Sequence, residues 1–107
     1  VKIALSSMGN TFDSQLDQRF GRAAYFIIVD TASDSVSVIE NSGNVQAAHG
    51  AGIQTAQTIV NSGATVIITG NIGPKALQVL QKANLELVTG VTGTCRECYN
   101  AYKERKL

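Results

Sequence analysis

The stretch Ala24-Tyr-Phe-Ile-Ile-Val-Asp30, Thr31-Ala-Ser-Asp34, Ser35-Val-Ser-Val-Ile-Glu-Asn41 decides the fold. Two strand patterns stand so close together that no crossover fits between them, so the connection is a hairpin and the strands are antiparallel. The first pattern is a continuous apolar run suited to an interior strand, whereas Ser35-Val-Ser-Val38 alternates as an edge strand does. Upstream, Lys2 to Ser6 supplies another strand; downstream, Thr65 to Thr69 and Leu85 to Val88 supply two more. Helices fill the gaps. His49 to Asn61 places Ile53, Ala56, Ile59 and Val60 at helical spacing and stops before Gly63, a C-terminal cap. Pro74 suits a first helical position, with Leu77, Leu80 and Ala83 as the buried stripe. A last helix runs from a Thr94 cap toward Arg105. Helical connections imply parallel crossovers, and with an antiparallel first pair the result is a five-stranded mixed sheet of order 3-2-1-4-5. Helices on both faces make it a three-layer α/β/α fold.

The chain has 107 residues, 44% hydrophobic and 16% charged, which describes one domain spanning residues 1–107. Nine Lys plus Arg against eight Asp plus Glu leave a net charge of +1, with none of the basic excess that holds a nucleic-acid backbone. No apolar run approaches a membrane span, and Val1-Lys-Ile-Ala-Leu-Ser-Ser7 lacks a signal peptide's apolar core. The expectation is a cytoplasmic protein with neither nucleic acid nor membrane as partner. Cys95 and Cys98 stand three positions apart, so a disulfide between them would close almost no loop.

With strands one, three, four and five parallel, their carboxyl ends share one rim with the start of strand two. That rim gathers Ser6-Ser-Met-Gly9-Asn10, Arg19-Phe20-Gly21-Arg22, the Asn41 to His49 stretch, Gly70-Asn-Ile-Gly73 and Thr89-Gly90-Val-Thr-Gly93-Thr-Cys95. Open α/β sheets bind ligands there. The glycines admit close backbone approach, and the helix starts near Pro74 and Thr94 direct unpaired N–H groups at the same space, which suits an anion. The expected cofactor-binding set is therefore Ser6, Gly9, Arg19, Phe20, Gly21, Arg22, Gly70, Gly73, Gly90 and Gly93, and His49 and Cys95 are expected on the same side of the domain.

Metal-ligand candidates are Cys95, Cys98 and the single histidine, His49. On a helix the two thiols share a face, and the dipole at the helix start favours a thiolate. The same spacing admits a plain packing role, because Cys95, Cys98, Tyr99 and Tyr102 form an i, i+3, i+4, i+7 stripe. One C-x-x-C without a second pair does not make a closed zinc site. The strand order is similar to that of ribonuclease H, but two-metal phosphoryl chemistry needs acidic strand ends, and strands one and four end in Ser6-Ser7 and Thr69-Gly70. The sequence contains no nucleophile triad or Walker loop.

Four segments, Ile3-Ala-Leu-Ser-Ser7, Leu16-Asp-Gln-Arg-Phe-Gly-Arg-Ala-Ala-Tyr-Phe26, His49-Gly-Ala-Gly-Ile-Gln-Thr-Ala56 and Val66-Ile-Ile-Thr-Gly-Asn-Ile-Gly-Pro74, carry a resemblance over nearly the whole chain. They resemble the dinitrogenase iron–molybdenum cofactor biosynthesis family, the NifX, NifB C-terminal and NafY-like group. The resemblance implies a ribonuclease-H-like motif and non-enzymatic binding, carriage or scaffolding of an anionic iron–sulfur or iron–molybdenum type cluster or its precursor. Related orange-type proteins hold a molybdenum-containing sulfide cluster with copper. A protein that donates or accepts the cluster is the implied partner. In nitrogen-fixation members a His-Phe-Gly stands where this chain has Arg19-Phe20-Gly21, which removes one metal-ligand candidate. Two other functions fit the residues: a metal-free adaptor binding a small anion or a protein, and a thiol-disulfide protein using Cys95 and Cys98.

Overall fold

Ile3, Leu5, Ile27, Val29, Val66 and Ile68 turn to one side of a sheet, and Ala4, Phe26, Ile28 and Ile67 turn to the other. That two-sided burial explains why the central strands read as continuous apolar runs. The computed structural model describes residues 1–41 and 51–106. Its strands are β1 (Lys2–Ser7), β2 (Tyr25–Asp30), β3 (Ser35–Glu40), β4 (Val66–Ile68) and β5 (Glu86–Val88). The helices among the described residues are α1 (Ala51–Asn61), α2 (Pro74–Lys82) and α3 (Cys95–Lys106). The sheet order is β3-β2-β1-β4-β5, the order expected from the sequence.

β1 pairs antiparallel with β2, Ile3 opposite Val29 and Leu5 opposite Ile27, and parallel with β4, Ala4 beside Ile67. β2 continues antiparallel into β3, and β4 runs parallel to β5. The hairpin closes as its composition suggests. The Ala32 amide donates to the Asp30 carboxylate at 3.0 Å, and Asp34 takes the left-handed conformation (φ 55°) that a short polar side chain tolerates.

α1 and α2 cover one face, burying Ala56, Ile59, Ala76 and Leu80 against Ala4, Phe26 and Ile67. Truncating Ile67 to Ala in so closed a layer would cost about 2–5 kcal/mol. The α2 stripe differs by a residue from the expected one: Ala76 and Leu80 are buried, Leu77 is half-buried and Ala83 is exposed. α2 ends at Lys82, which leaves Ala83 as its C-cap outside the last turn. Gly63 follows α1 with φ 87°, the left-handed cap its position suggested. α3 covers the opposite face with Leu16, and Cys95, Cys98 and Tyr99 lie in that layer beside Ile3, Leu5 and Val66.

Candidate functional site

Hydrogen bonds stitch the rim segments together. The Thr69 amide donates to Val88 O and the Gly90 amide to Gly70 O, each at 2.9 Å. The Asn71 amide donates to Gln18 O at 2.7 Å, and Asn71 O accepts from the Phe20 amide at 3.0 Å. Asp17 N reaches Ser6 O and Leu16 N reaches Gly93 O, both at 2.9 Å. The expected convergence of glycine-containing segments on one edge is therefore present, but much of it is consumed internally. Gly70 abuts Gln18 so closely that a side chain there would collide with the Gln18 backbone, and a side chain at Gly9 would collide with Ser14. Gly90 (φ 75°) and Gly93 (φ 117°) are turn glycines. Ser6 is fully buried, its hydroxyl donating to Asp17 O at 2.7 Å and lying 2.6 Å from Thr69 Oγ1. Phe20 is also buried, edge-on to Phe26 with centroids 5.3 Å apart, so it anchors the loop in the core.

The start of α3 is closed, contrary to the expectation of open N–H groups near Thr94. The Thr94 amide donates to Glu97 Oε1 at 2.9 Å and the Glu97 amide to Thr94 Oγ1 at 3.1 Å, a capping box. The next two amides are also used: Cys95 N donates to Ser14 O and Arg96 N to Phe12 O, both at 2.9 Å. Bonding to Thr94 holds the Glu97 carboxyl below its ordinary pKa, so a carboxylate already sits where an anion would bind.

The start of α2 is different. Gly73 is its N-cap and has no side chain to cap with; Pro74 opens the helix without an N–H. The Leu77 amide makes the first intrahelical bond, to Gly73 O at 2.9 Å, which leaves the Lys75 and Ala76 amides without a partner inside the helix. Neither α1 nor α2 has an acidic residue in its first turn. A cleft of about 380 Å³ opens here, lined by Gly21, Arg22, Gly52, Ile53, Gly73, Pro74, Lys75 and Ala76. Both charged residues among these are cations. Gly52 brings α1 close to α2, since a Cβ on it would stand 3.3 Å from the Ala76 Cβ.

Of the expected residues, Gly21, Arg22 and Gly73 line this cleft. Arg19 is turned to Asp17, with its Nε 3.3 Å from Asp17 Oδ1. His49 lies outside the described residues. Cys95 stands on the rim by its backbone, but its side chain enters the α3 layer, across the sheet from the cleft. Cys95 Sγ donates to Ser6 O at 3.8 Å and Cys98 Sγ to Thr92 O at 3.4 Å. Burial pushes both thiols above the ordinary cysteine pKa, and Cys95 and Glu97 push Cys98 further the same way. The dipole argument for a thiolate is thus outweighed by desolvation. Among the described residues no group of three or more His, Cys, Asp or Glu side chains could hold a metal ion.

Residues 1–105 match the dinitrogenase iron-molybdenum cofactor family. This chain belongs to that family. An uncharacterized protein of Methanocaldococcus jannaschii is 34% identical over 110 residues, spanning 100% of this chain and 89% of that one. The apo orange protein from Desulfovibrio gigas is 38% identical with a TM-score of 0.94, over 98% of this chain and 88% of its own. A Thermotoga protein with a provisional NifB designation is 36% identical with a TM-score of 0.85, over 96% and 87%. None of the described helices is long and apolar enough to cross a membrane.

Within this member of the iron-molybdenum cofactor family, sequence reasoning missed Gly52, Ile53, Lys75 and Ala76 as cleft residues. Lys75 carried a usable signal. A lysine directly after an N1 proline opposes the helix dipole, which favours acidic residues in that turn.

Proposed function

We propose that the cleft between Arg22 and Lys75 binds an anionic metal–sulfur cluster or its precursor and holds it without transforming it. One observation carries this reading. The start of α2 lacks a side-chain cap and shares its cleft with Arg22 and Lys75, whereas the start of α3 is closed by the chain's own carboxylate. Membership of the iron-molybdenum cofactor family supports a cluster of that chemistry as the anion.

The lining residues hold their guest by charge, by backbone N–H groups and by the apolar surface of Ile53 and Pro74. The described lining residues include no thiolate and no carboxylate. Such a site grips the sulfide surface of a preassembled anion and does not replace its metal ligands, which fits carriage or scaffolding better than assembly. The thiol-disulfide alternative loses support because Cys95 and Cys98 are buried and hold their protons.

Titration of the protein with tetrathiomolybdate without oxygen, followed by visible absorption, tests the reading. Saturable binding that weakens in the Arg22→Ala, Lys75→Ala double variant is expected. Absence of saturable binding, or binding indifferent to both cations, overturns it.

A further inference from the structure

The cleft's walls come from three separate pieces of chain, the Gly21-Arg22 loop, the first turn of α1 and the first turn of α2. Charge-assisted recognition of an anion depends on their spacing, so whatever fixes the spacing governs affinity. Two of the three joints are already visible. Asn71 binds the α2 wall to the loop through Gln18 and Phe20, and Gly52 against Ala76 sets α2 against α1.

The third joint is Asn41, a buried polar residue just past the end of β3. Its backbone amide donates to Ala24 O at 2.8 Å and its side-chain amide to Ala23 O at 2.8 Å, directly after Arg22. Its Oδ1 accepts from Thr55 Oγ1 at 3.3 Å. Thr55 is fully buried in α1, two residues beyond Ile53. A single amide thus reaches from the loop that carries Arg22 to the helix that carries Gly52 and Ile53. An apolar pair would fill the same volume without specifying a separation, whereas a buried amide and hydroxyl are satisfied only at hydrogen-bonding distance.

We infer that Asn41 and Thr55 are positioning residues for the anion site, a buried clasp that holds the Arg22 wall at its working distance from α1. Neither side chain lines the cleft; both act through Arg22. The inference rests on the reading of the cleft as an anion site and adds what sets its geometry.

A double-mutant cycle between Thr55 and Arg22 tests it, with tetrathiomolybdate as the probe and a melting curve for every variant. Thr55→Val keeps the shape and removes the hydroxyl; it is expected to weaken binding about tenfold. Thr55→Ala removes the same hydroxyl and puts a residue of higher helix propensity in its place, giving an independent arm if the valine variant does not fold. Thr55→Ser restores the hydroxyl and is expected to bind within about twofold of the parent. In an Arg22→Ala background the hydroxyl deletions should change affinity by less than about twofold, because the group they position is gone. Equal losses in both backgrounds overturn the clasp, as does a lower melting temperature with unchanged affinity. A parent protein that does not bind the probe overturns the reading of the cleft, and the clasp with it. Binding by the parent with an additive cycle overturns the clasp alone.

Discussion

Thr94 and Glu97 satisfy one another across the first turn of α3, amide to carboxylate at 2.9 Å and amide to hydroxyl at 3.1 Å. At the equivalent point of α2, Gly73 has no side-chain cap to offer. Two helix starts on one sheet edge therefore differ in kind. The first carries its own anion and is a structural joint; the second, on the proposed reading, presents backbone donors and cations to an external one.

The closed end yields the first prediction. Thr94→Ala should lower stability by about 1 kcal/mol, the usual effect of losing a threonine cap, and leave thiomolybdate affinity unchanged. Glu97 is held below its ordinary pKa in the folded chain, so its contribution is present above the unfolded glutamate pKa and lost as pH falls through the folded value. The stability gap between the parent and Glu97→Gln should accordingly close on acidification below about pH 4, as denaturant midpoints measured across pH will show.

Arg19 and Arg22 flank the same two residues yet should separate cleanly. Arg19 is spent on buried Asp17, so Arg19→Ala should cost less than about 1 kcal/mol of stability and leave binding intact. Arg22 lines the cleft, and Arg22→Ala should weaken thiomolybdate binding about tenfold and flatten its dependence on ionic strength. Equal effects from both replacements would contradict this division of roles.

The fold was legible because its signals are local. The hairpin between Asp30 and Ser35, the continuous run in β2 and the caps at Gly63 and Pro74 each act within a few residues, and with an antiparallel first pair and the crossover rule they lead to the sheet order. The site was only half legible. Glycine reports that a side chain is unwelcome but not why: Gly70 yields to the Gln18 backbone, Gly90 and Gly93 to turns, and Gly73 leaves a helix start uncovered. Phe20 sits between two arginines in sequence and belongs to the core in space, because its pairing with Phe26 is a tertiary contact. The capping box was readable as Thr94-x-x-Glu97 and alone would have removed α3 from the anion site.

Cys95 and Cys98 should behave as core residues. In the native protein at neutral pH both thiols should react slowly with a soluble disulfide reagent and rapidly once the chain unfolds. Replacing both with Ser should cost stability, on the order of 1 to 3 kcal/mol for each hydroxyl left without a partner, and preserve thiomolybdate binding. The pH dependence has a definite sign. Burial raises both folded-state pKa values, so their stabilising contribution is complete below the unfolded thiol pKa and is lost as pH rises through the folded values. Stability should decline above about pH 8.5 in the parent, and less steeply in the double variant. Loss of probe binding by that variant, with its fold intact, would return the thiols to the site.

Lys75 provides the most demanding test, because two properties should move in opposite directions. It is the second residue of α2, where a cation opposes the positive end of the helix dipole, and it is exposed. Such placement costs a few tenths of a kcal/mol to about 1 kcal/mol in the ligand-free protein, toward the lower end where solvent screens the charge. Lys75→Glu removes that cost and adds a favourable charge, so the free protein should become more stable by up to about 1 kcal/mol and melt a few degrees higher. The same change places a carboxylate in the cleft beside Arg22 and the α2 amides that lack a partner inside the helix, where it competes with an incoming anion. Affinity for tetrathiomolybdate should fall by about tenfold or more, with Lys75→Gln intermediate in both measurements. Salt should shrink both effects together, since both are electrostatic at an exposed position. A variant that gains stability without losing affinity would show that the dipole argument holds and that Lys75 does not touch the anion; one that loses both would mean that Lys75 is bonded within the chain and that the start of α2 is not the open site described.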